Sequence, residues 1–306
     1  MRAQQPRAAT REGVSVMTLV RGRDVQLRRM LAGLAQQTEP PSDCVVAWME
    51  EPGLVQMEGA AFPVKNVAVL DPGLPLALAR NSAANAAHGD VLVFLDVDCI
   101  PCPGLVSAYA EAVRETGGCV MGPARYLKAN SPVDETDFET LWSGALRHPA
   151  RLDPDDVDVS ERVDAGGGLI RFDDFAELWG LSFALPAKAF HEIGGFDATF
   201  EGYGGEETDF AVRLGGSGLP LSWTPAARAV HQWHPVHAPP LQHFDDIVRN
   251  ACRFFEKHGH WPMTYWLGQF AEAGYIRRGT DAIEVLKHPT DADIAAARQP
   301  DSVAFS

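Results

Sequence analysis

The sequence predicts an α/β fold, a mostly parallel sheet flanked by helices, with a helical extension at the C-terminal end. Three observations lead there. Residues 14–70 read as strand, helix, strand, strand, a βαβ beginning that closes into a parallel sheet through right-handed crossovers. The run Val91-Leu92-Val93-Phe94-Leu95 is apolar at every position, as in a strand covered on both faces. That run delivers two carboxylates, Asp96 and Asp98, just before Pro101, and the carboxyl end of a central strand is where open α/β sheets bind ligands.

Composition narrows the partners. Acidic residues outnumber basic ones 41 to 26, for a formal net charge of −15. Such a field repels nucleic acid and anionic lipid surfaces. No apolar run reaches the roughly 20 residues of a membrane span. The polar start lacks the apolar stretch of a signal peptide, so a cytoplasmic protein is expected. Five cysteines, an odd number scattered over 306 residues, suggest no disulfide framework.

The elements follow in order. Residues 1–13 are polar and read as a disordered tail. Residues 14–20 alternate and are rich in β-formers, giving the first strand. Arg21-Gly22-Arg23-Asp24 is a loop, and the helix after it carries apolar Val25, Leu27, Met30, Leu31 and Leu34 until Pro40-Pro41 stops it. Residues 44–48 and 64–70 are the second and third strands. Residues 76–87 form an alanine-rich helix that can lie close on the sheet, with Arg80 and Asn81 as polar residues in an apolar setting. Arginine pairs well with phosphate, so these two either face solvent or turn toward an anionic ligand. A helix over 105–115 ends at Gly117-Gly118, and 119–123 is a strand.

Periodicity weakens over residues 130–164, which read as loops and short helices. Gly166-Gly167-Gly168 is a flexible joint and not a phosphate loop, because no strand-to-helix context surrounds it. Beyond residue 240 sheet periodicity gives way to two helices, over 241–258 and 261–277. They are suited to packing on the sheet, covering the site or forming a homodimer face, and the sequence does not choose. The expected division is a domain over 14–240 and an extension over 241–306.

Two acidic groups carry candidate chemistry. Asp96 and Asp98 suit a hard cation such as Mg²⁺ or Mn²⁺ bridging protein to a diphosphate, or they cap the following helix. Glu206, Glu207 and Asp209 either supply a base or only favour the dipole of a helix first turn. Gly202, Gly204 and Gly205 beside them would let the backbone approach a sugar. Trp179, Tyr203, Trp223 and Trp233 are stacking candidates, Tyr203 foremost because it sits in the glycine-rich stretch. Cys99-Ile100-Pro101-Cys102, after a strand and before a helix, has the layout of a thioredoxin-like redox site. Against that, the flanking acids would raise the pKa of Cys99.

Two groups of motifs carry a family resemblance. One is Ala79-Arg80-Asn81 with Gly89-Asp90 and Phe94-Leu95-Asp96-Val97-Asp98. The other is Gly194-Gly195-Phe196-Asp197, then Gly202-Tyr203-Gly204-Gly205-Glu206-Glu207-Thr208-Asp209-Phe210, with Arg213 after it. In this order and at these distances they resemble the GT-A-fold, nucleotide-sugar-dependent glycosyltransferases. The likeness is to the large inverting family of many bacterial enzymes and to the galactosyltransferase C-terminal region, and it runs from about Val14 to His234.

The resemblance implies a GT-A-like fold and a metal-dependent inverting glycosyltransferase of hexosyltransferase kind. Its donor would be a nucleoside diphosphate sugar, and its acceptor a small molecule, glycan or peptide. Asp98 would ligate Mn²⁺ or Mg²⁺, with Asp96 reaching the metal or the ribose, and His231 or His234 completing the metal shell. Arg21 and Arg23 would line the nucleotide, and Arg80, with Asn81, would help hold the donor. Glu207 would be the catalytic base, with Glu206 as its alternate, since Glu stands where the family has Asp. Tyr203, Gly204, Gly205 and Asp209 would face the acceptor. Two other readings stand beside this one, the redox protein and an inactive sugar- or nucleotide-binding protein on the same fold.

Overall fold

A computed structural model describes residues 13–53, 61–71, 73–157 and 168–305. The expected tail lies, but for Gly13, outside the described residues, as do Gly166 and Gly167 of the expected joint.

The first half is built as the sequence pattern requires. Strand β1 (Val14–Val20) leads through helix α1 (Asp24–Ala35) to β2 (Asp43–Trp48) and β3 (Val64–Ala68). Helix α2 (Leu76–Ala86) returns the chain to β4 (Val91–Leu95), which is buried at every position. After a turn come β5 (Cys99–Pro101), α3 (Leu105–Thr116), β6 (Cys119–Met121) and β7 (Ala124–Tyr126). Gly117 closes α3 in the left-handed conformation. The weakly periodic stretch holds only α4 (Phe138–Gly144) and single 3₁₀ turns among its described residues. The chain continues through β8 (Ile170–Phe172), β9 (Ser182–Pro186), α5 (Ala187–Ile193), α6 (Glu206–Gly216), β10 (Leu221–Trp223) and β11 (Ala229–His231).

Among the described residues, eight strands make one sheet in the order β3-β2-β1-β4-β9-β6-β10-β8. The run from β3 to β4 is parallel, and β6 and β10 are parallel to each other. Strands β9 and β8 run against their neighbours. This is the mostly parallel sheet the sequence predicts, with β9 inserted antiparallel beside the central strand. Helix α2 lies close because its inward side is Ala77, Ala79, Ala83 and Ala84, all buried.

A second, three-stranded sheet, β5-β11-β7, forms at the carboxyl end of β4. Its register sets His231 opposite Cys99 and beside Tyr126.

The C-terminal segment has helix α7 (Phe244–His258), then α8 (Thr264–Glu272), a hairpin of β12 (Ile276–Arg278) and β13 (Ile283–Val285), and α9 (Asp291–Ala297). The expected single helix over 261–277 is therefore corrected. It ends at Glu272, and Gly274, at φ +72°, turns the chain into the hairpin. Among the described residues, no helix is long and apolar enough to cross a membrane.

Candidate active site

Two clusters of charged side chains meet at the carboxyl end of β4. The first forms where the chain leaves β4 and turns into β5. The Cys99 N–H donates to Asp96 O at 2.8 Å, which closes the turn and brings Asp98 against the end of β11. There the Gln232 N–H donates to Asp98 O at 2.7 Å. Main-chain pairing thus brings Asp98 to His231, and His234 follows within one more turn of chain. One ligand atom from each of Asp98, His231 and His234 can be chosen so that all lie within 4.8 Å of one another.

These three suit a cation on the chemistry of their atoms. Asp98 Oδ1 and His231 Nδ1 are buried with no protein hydrogen-bond partner, and a buried polar atom left so is costly unless something else satisfies it. Burial pushes the His231 imidazole down to about 4, against a smaller opposing pull from Asp98, so the ring is neutral and able to ligate. Burial lowers His234 as well, and its Nδ1 lies 3.0 Å from Pro235 O. Two imidazoles beside a carboxylate suit a divalent transition metal better than a purely oxygen-seeking ion. Asp96 lies outside this group. Its carboxylate faces Arg80 and Glu207 as well as Asp98 and Arg23, so it stands between the two clusters. Burial pushes the Asp96 carboxyl up to about 7, with Arg80 opposing and Glu207 and Asp98 adding to the rise.

The second cluster is built across three motifs far apart in sequence. Arg80, on α2 and only 5% exposed, donates from Nη1 to Glu206 Oε1 and from Nη2 to Glu207 Oε1, each at 2.8 Å. Glu206 is buried, while the Glu207 side chain keeps 33% of its surface exposed. The Gly180 N–H donates to Glu207 Oε2 at 3.2 Å. A Cβ at residue 180 would overlap that carboxylate, so only glycine leaves it room. Burial raises the Glu207 carboxyl above its ordinary value, Arg80 opposes this, and Glu206 adds to it. A carboxylate so placed is a stronger base than a solvated one.

The other expected residues divide. Arg23 forms an ion pair with Asp98, placing it beside the first cluster. Arg21 reaches Gly73 O on the neighbouring loop. Asn81 is corrected from donor binding. Its amide donates to Phe196 O at 2.7 Å and accepts from Phe196 N at 2.8 Å, so both ends are used to fix the turn at Gly195. Asp209 is corrected from acceptor binding. It is fully buried and held by Arg213, Lys257 and His258 at 2.8, 2.6 and 2.8 Å, which ties α6 to α7.

The glycines are also reassigned. The space a Cβ would need at Gly202 holds Asp246, that at Gly204 holds Met263, and that at Gly205 holds Phe200 and Asn250. Gly205 further needs its φ of +91°, which other residues rarely adopt. These glycines admit Asp246, Met263 and Asn250 of the C-terminal segment, so the close approach they allow is at least in part to this chain itself.

Tyr203 keeps an exposed edge and stacks on His243, ring centroids 4.2 Å apart. Trp223 is buried in the sheet core and is no stacking surface. Trp179, beside Gly180, lies under the Arg151 guanidinium at 4.9 Å.

Sequence reasoning missed Gly180, Arg151 and Tyr126. The Tyr126 ring lies 4.7 Å from His231 and 6.1 Å from Trp179, joining the two clusters by an aromatic floor. Nothing in a lone glycine or tyrosine signals this. The redox reading is corrected too. Cys99 and Cys102 are buried free thiols, and burial, with Asp96 and Asp98 behind it, drives Cys99 well above the ordinary thiol range. Burial raises Cys102 as well, so neither supplies the thiolate such chemistry needs.

Comparison with known proteins agrees with the fold. Residues 172–237 match a family described as the N-terminal domain of galactosyltransferase. Validoxylamine A glucosyltransferase of Streptomyces hygroscopicus subsp. limoneus is 27% identical over 278 residues, covering 83% of this chain and 58% of that protein. Human polypeptide N-acetylgalactosaminyltransferase 12 is 26% identical over 222 residues, 68% of this chain and 34% of its own length. The chain thus spans less than two thirds of the curated relatives it matches. The structure of GalNAc-T7 with UDP, GalNAc and Mn²⁺ superposes with a TM-score of 0.55 at 16% identity, over 87% of this chain and 57% of the other. That of S. aureus TarS 1–349 with UDP superposes with a TM-score of 0.51 at 13% identity, over 85% and 70%. In fold the chain matches the GT-A glycosyltransferases, and residues 172–237 resemble their galactosyltransferase-like members.

Proposed function

We propose that this protein is a metal-dependent, inverting hexosyltransferase that moves a sugar from a nucleoside diphosphate sugar to an acceptor hydroxyl. The observation that carries the reading is the group Asp98, His231 and His234, with two buried ligand atoms lacking protein partners, at the strand end that also bears the Glu206–Glu207 pair. Residues 14–240 are the transferase domain in this reading, and 241–306 the extension that braces its glycine-rich loop.

A Mn²⁺ or Mg²⁺ held by Asp98, His231 and His234 would supply positive charge for the leaving diphosphate. Arg23, paired with Asp98, and Arg21 line the donor side. Glu207 is the base. The acceptor oxygen bonds to the anomeric carbon, its proton passes to a Glu207 carboxylate oxygen, and the bond to the diphosphate breaks with its electron pair leaving on oxygen. Attack comes from the face opposite the diphosphate, so the anomeric configuration inverts. Tyr203, through its exposed edge, and Trp179 are the aromatic groups nearest to where the acceptor would lie. The UDP bound in two similar structures favours UDP in the donor, and the relatives' names leave glucose, galactose and N-acetylgalactosamine as sugars to try first.

The experiment is a donor screen with Mn²⁺, reading UDP release and product configuration by NMR, with validoxylamine A and a polypeptide among the acceptors. Glu207→Gln keeps the shape but cannot take the proton. It is expected to lower turnover by about 10²–10⁴-fold while donor affinity changes little. Retention of the donor's configuration in the product, or full turnover by both Glu207→Gln and Glu206→Gln, would refute the mechanism. UDP binding with no transfer to any acceptor would leave a binding protein.

A further inference from the structure

We infer that Arg80 is a positioning residue for the base, holding the Glu206–Glu207 pair and not the donor. This deepens the reading of Glu207 as base and rests on it. The resemblance to the family points Arg80 at the donor, but the side chain goes elsewhere. Its fork is turned onto α6, one terminal nitrogen on each carboxylate, a geometry the planar guanidinium suits and an ammonium does not.

The setting of the guanidinium is as specific as its contacts. Its carbon lies 5.0 Å from the centre of the Phe196 ring, close enough for the ring face to attract the cation. Phe196 is in turn fixed by Asn81, the next residue on α2, through two hydrogen bonds to its main chain. Adjacent residues of one helix therefore hold the support and the clamp. Glu206 is 4% exposed and needs the clamp most, since without it a buried charge stands unpaired. Glu207, with a third of its surface open, is the free end of the pair. Glu206 would then be the anchor and Glu207 the reacting group.

The groups facing Glu207 are Arg80 from α2, Glu206 from its own helix, Asp96 from the end of β4, Arg151 from the segment after α4, Tyr203, and the Gly180 N–H. Arg80 is the nearest positive one, and it opposes the rise that burial imposes on Glu207.

The test uses the full chain with UDP and Mn²⁺ as the donor-site probe. Arg80→Lys is expected to lower kcat by about 10–100-fold, as small misplacements of a reacting group do, while the affinity for UDP and Mn²⁺ by calorimetry stays within about twofold of wild type. Arg80→Met is expected to move the acid limb of the kcat profile to higher pH, because Glu207 then loses its proton less readily. Should Arg80→Met fold poorly, the double variant Arg80→Met/Glu206→Gln removes both buried charges and is expected to fold and still turn over slowly. A tenfold loss of UDP affinity with kcat unchanged would assign Arg80 to the donor and overturn the inference, as would full turnover in the double variant.

The inference has a readout apart from transfer. In ¹³C-Glu-labelled protein, NMR titration of Glu207 is expected to move upward in Arg80→Met. An unmoved Glu207 titration overturns the clamp even if the wild-type protein transfers no sugar, and absence of transfer alone counts only against the proposed function.

Discussion

Asp98 Oδ1 and His231 Nδ1 are buried without a protein partner, whereas a short distance across the strand end Arg80 donates to both Glu206 and Glu207. The one cluster has fewer internal partners than its chemistry asks for. The other holds one guanidinium against two carboxylates, with a main-chain N–H added at Gly180. An under-satisfied buried group has its energy lowered by whatever ligand completes it, so the first cluster is suited to capture an ion. A satisfied network stays where it is, which suits a group that must meet a substrate in one geometry. The two sites differ in construction as well. Main-chain pairing of β5 with β11 brings Asp98 to His231, while side chains alone bring Arg80 to the acids.

Breaking the first cluster is the larger perturbation. Asp98→Ala removes the only carboxylate of the triad and leaves Arg23 without its partner. Turnover is expected to fall by about 10²–10³-fold or more, as when one stabiliser of developing charge is lost. Calorimetry should show Mn²⁺-dependent UDP binding gone, with melting temperature little changed. UDP bound by this variant with wild-type affinity and metal dependence would remove the triad's role.

The second cluster can be disturbed without touching a charge. In Gly180→Ala the new methyl group takes the place of the Glu207 carboxylate, and the atoms it meets are the far end of a flexible side chain. The carboxylate can therefore swing aside while the fold persists. A displacement on the order of 1 Å at a reacting group is expected to cost about 10²-fold in kcat, with UDP and Mn²⁺ binding preserved. Equal losses in kcat and metal-dependent binding would mean the two clusters are not separable.

These residues differ in how well the sequence exposes them. Strand β4 was legible because five apolar residues in a row have few other uses, and Asp98 because it follows such a strand. Helix α2 was legible from its alanines. The roles of Arg80 and Asn81 were not, since their partners lie 115 to 127 positions on and any fold could turn them either way. Gly202, Gly204 and Gly205 are legible as places of close approach, but their neighbours within the chain are not. A glycine announces that something comes close, and the sequence does not say whether that is a sugar or Asp246 and Met263 of the same chain. The end of α8 was misplaced because an aromatic-rich stretch continues past Glu272 into β12 with no proline to mark the change.

A smaller effect is expected from the brace behind the acid pair. Asn250 is fully buried, and its amide donates to Glu201 O at 2.9 Å and Gly204 O at 2.7 Å. Asn250→Ala takes the side-chain donor from the Gly204 carbonyl, while Glu201 O keeps its bond from Arg249 at 2.6 Å; the expected cost is about 1–3 kcal/mol, read as a lower melting temperature. The glycine-rich loop is then held less firmly, so kcat should fall while UDP affinity does not. A stable variant with normal kcat would show that the loop needs no brace from α7.

The last expectation separates the clusters by pH. His231 sits below its ordinary range, about 4, so its ring stays neutral well under pH 6.5, and burial lowers His234 in the same direction. Metal-dependent UDP binding should therefore show no histidine-like loss between pH 7 and about pH 5. Glu207 is shifted the other way, upward from 4.5, and acts as a base only when ionised. Asp96, raised to about 7, lies between the clusters and is shifted in the same upward direction. As pH falls, turnover should decline first, through the raised carboxylates, while UDP and Mn²⁺ remain bound. Calorimetry and kcat measured across the same pH series check this. If both fall together with a midpoint near 6.5, protonation of the histidines governs both, and the neutral buried state assigned to His231 is wrong. If binding persists while kcat falls, the proton that limits the reaction belongs to the acid pair and its neighbour Asp96. Asp96→Asn then tells those apart, because it removes the Asp96 titration and leaves the Arg80 contacts to both glutamates in place.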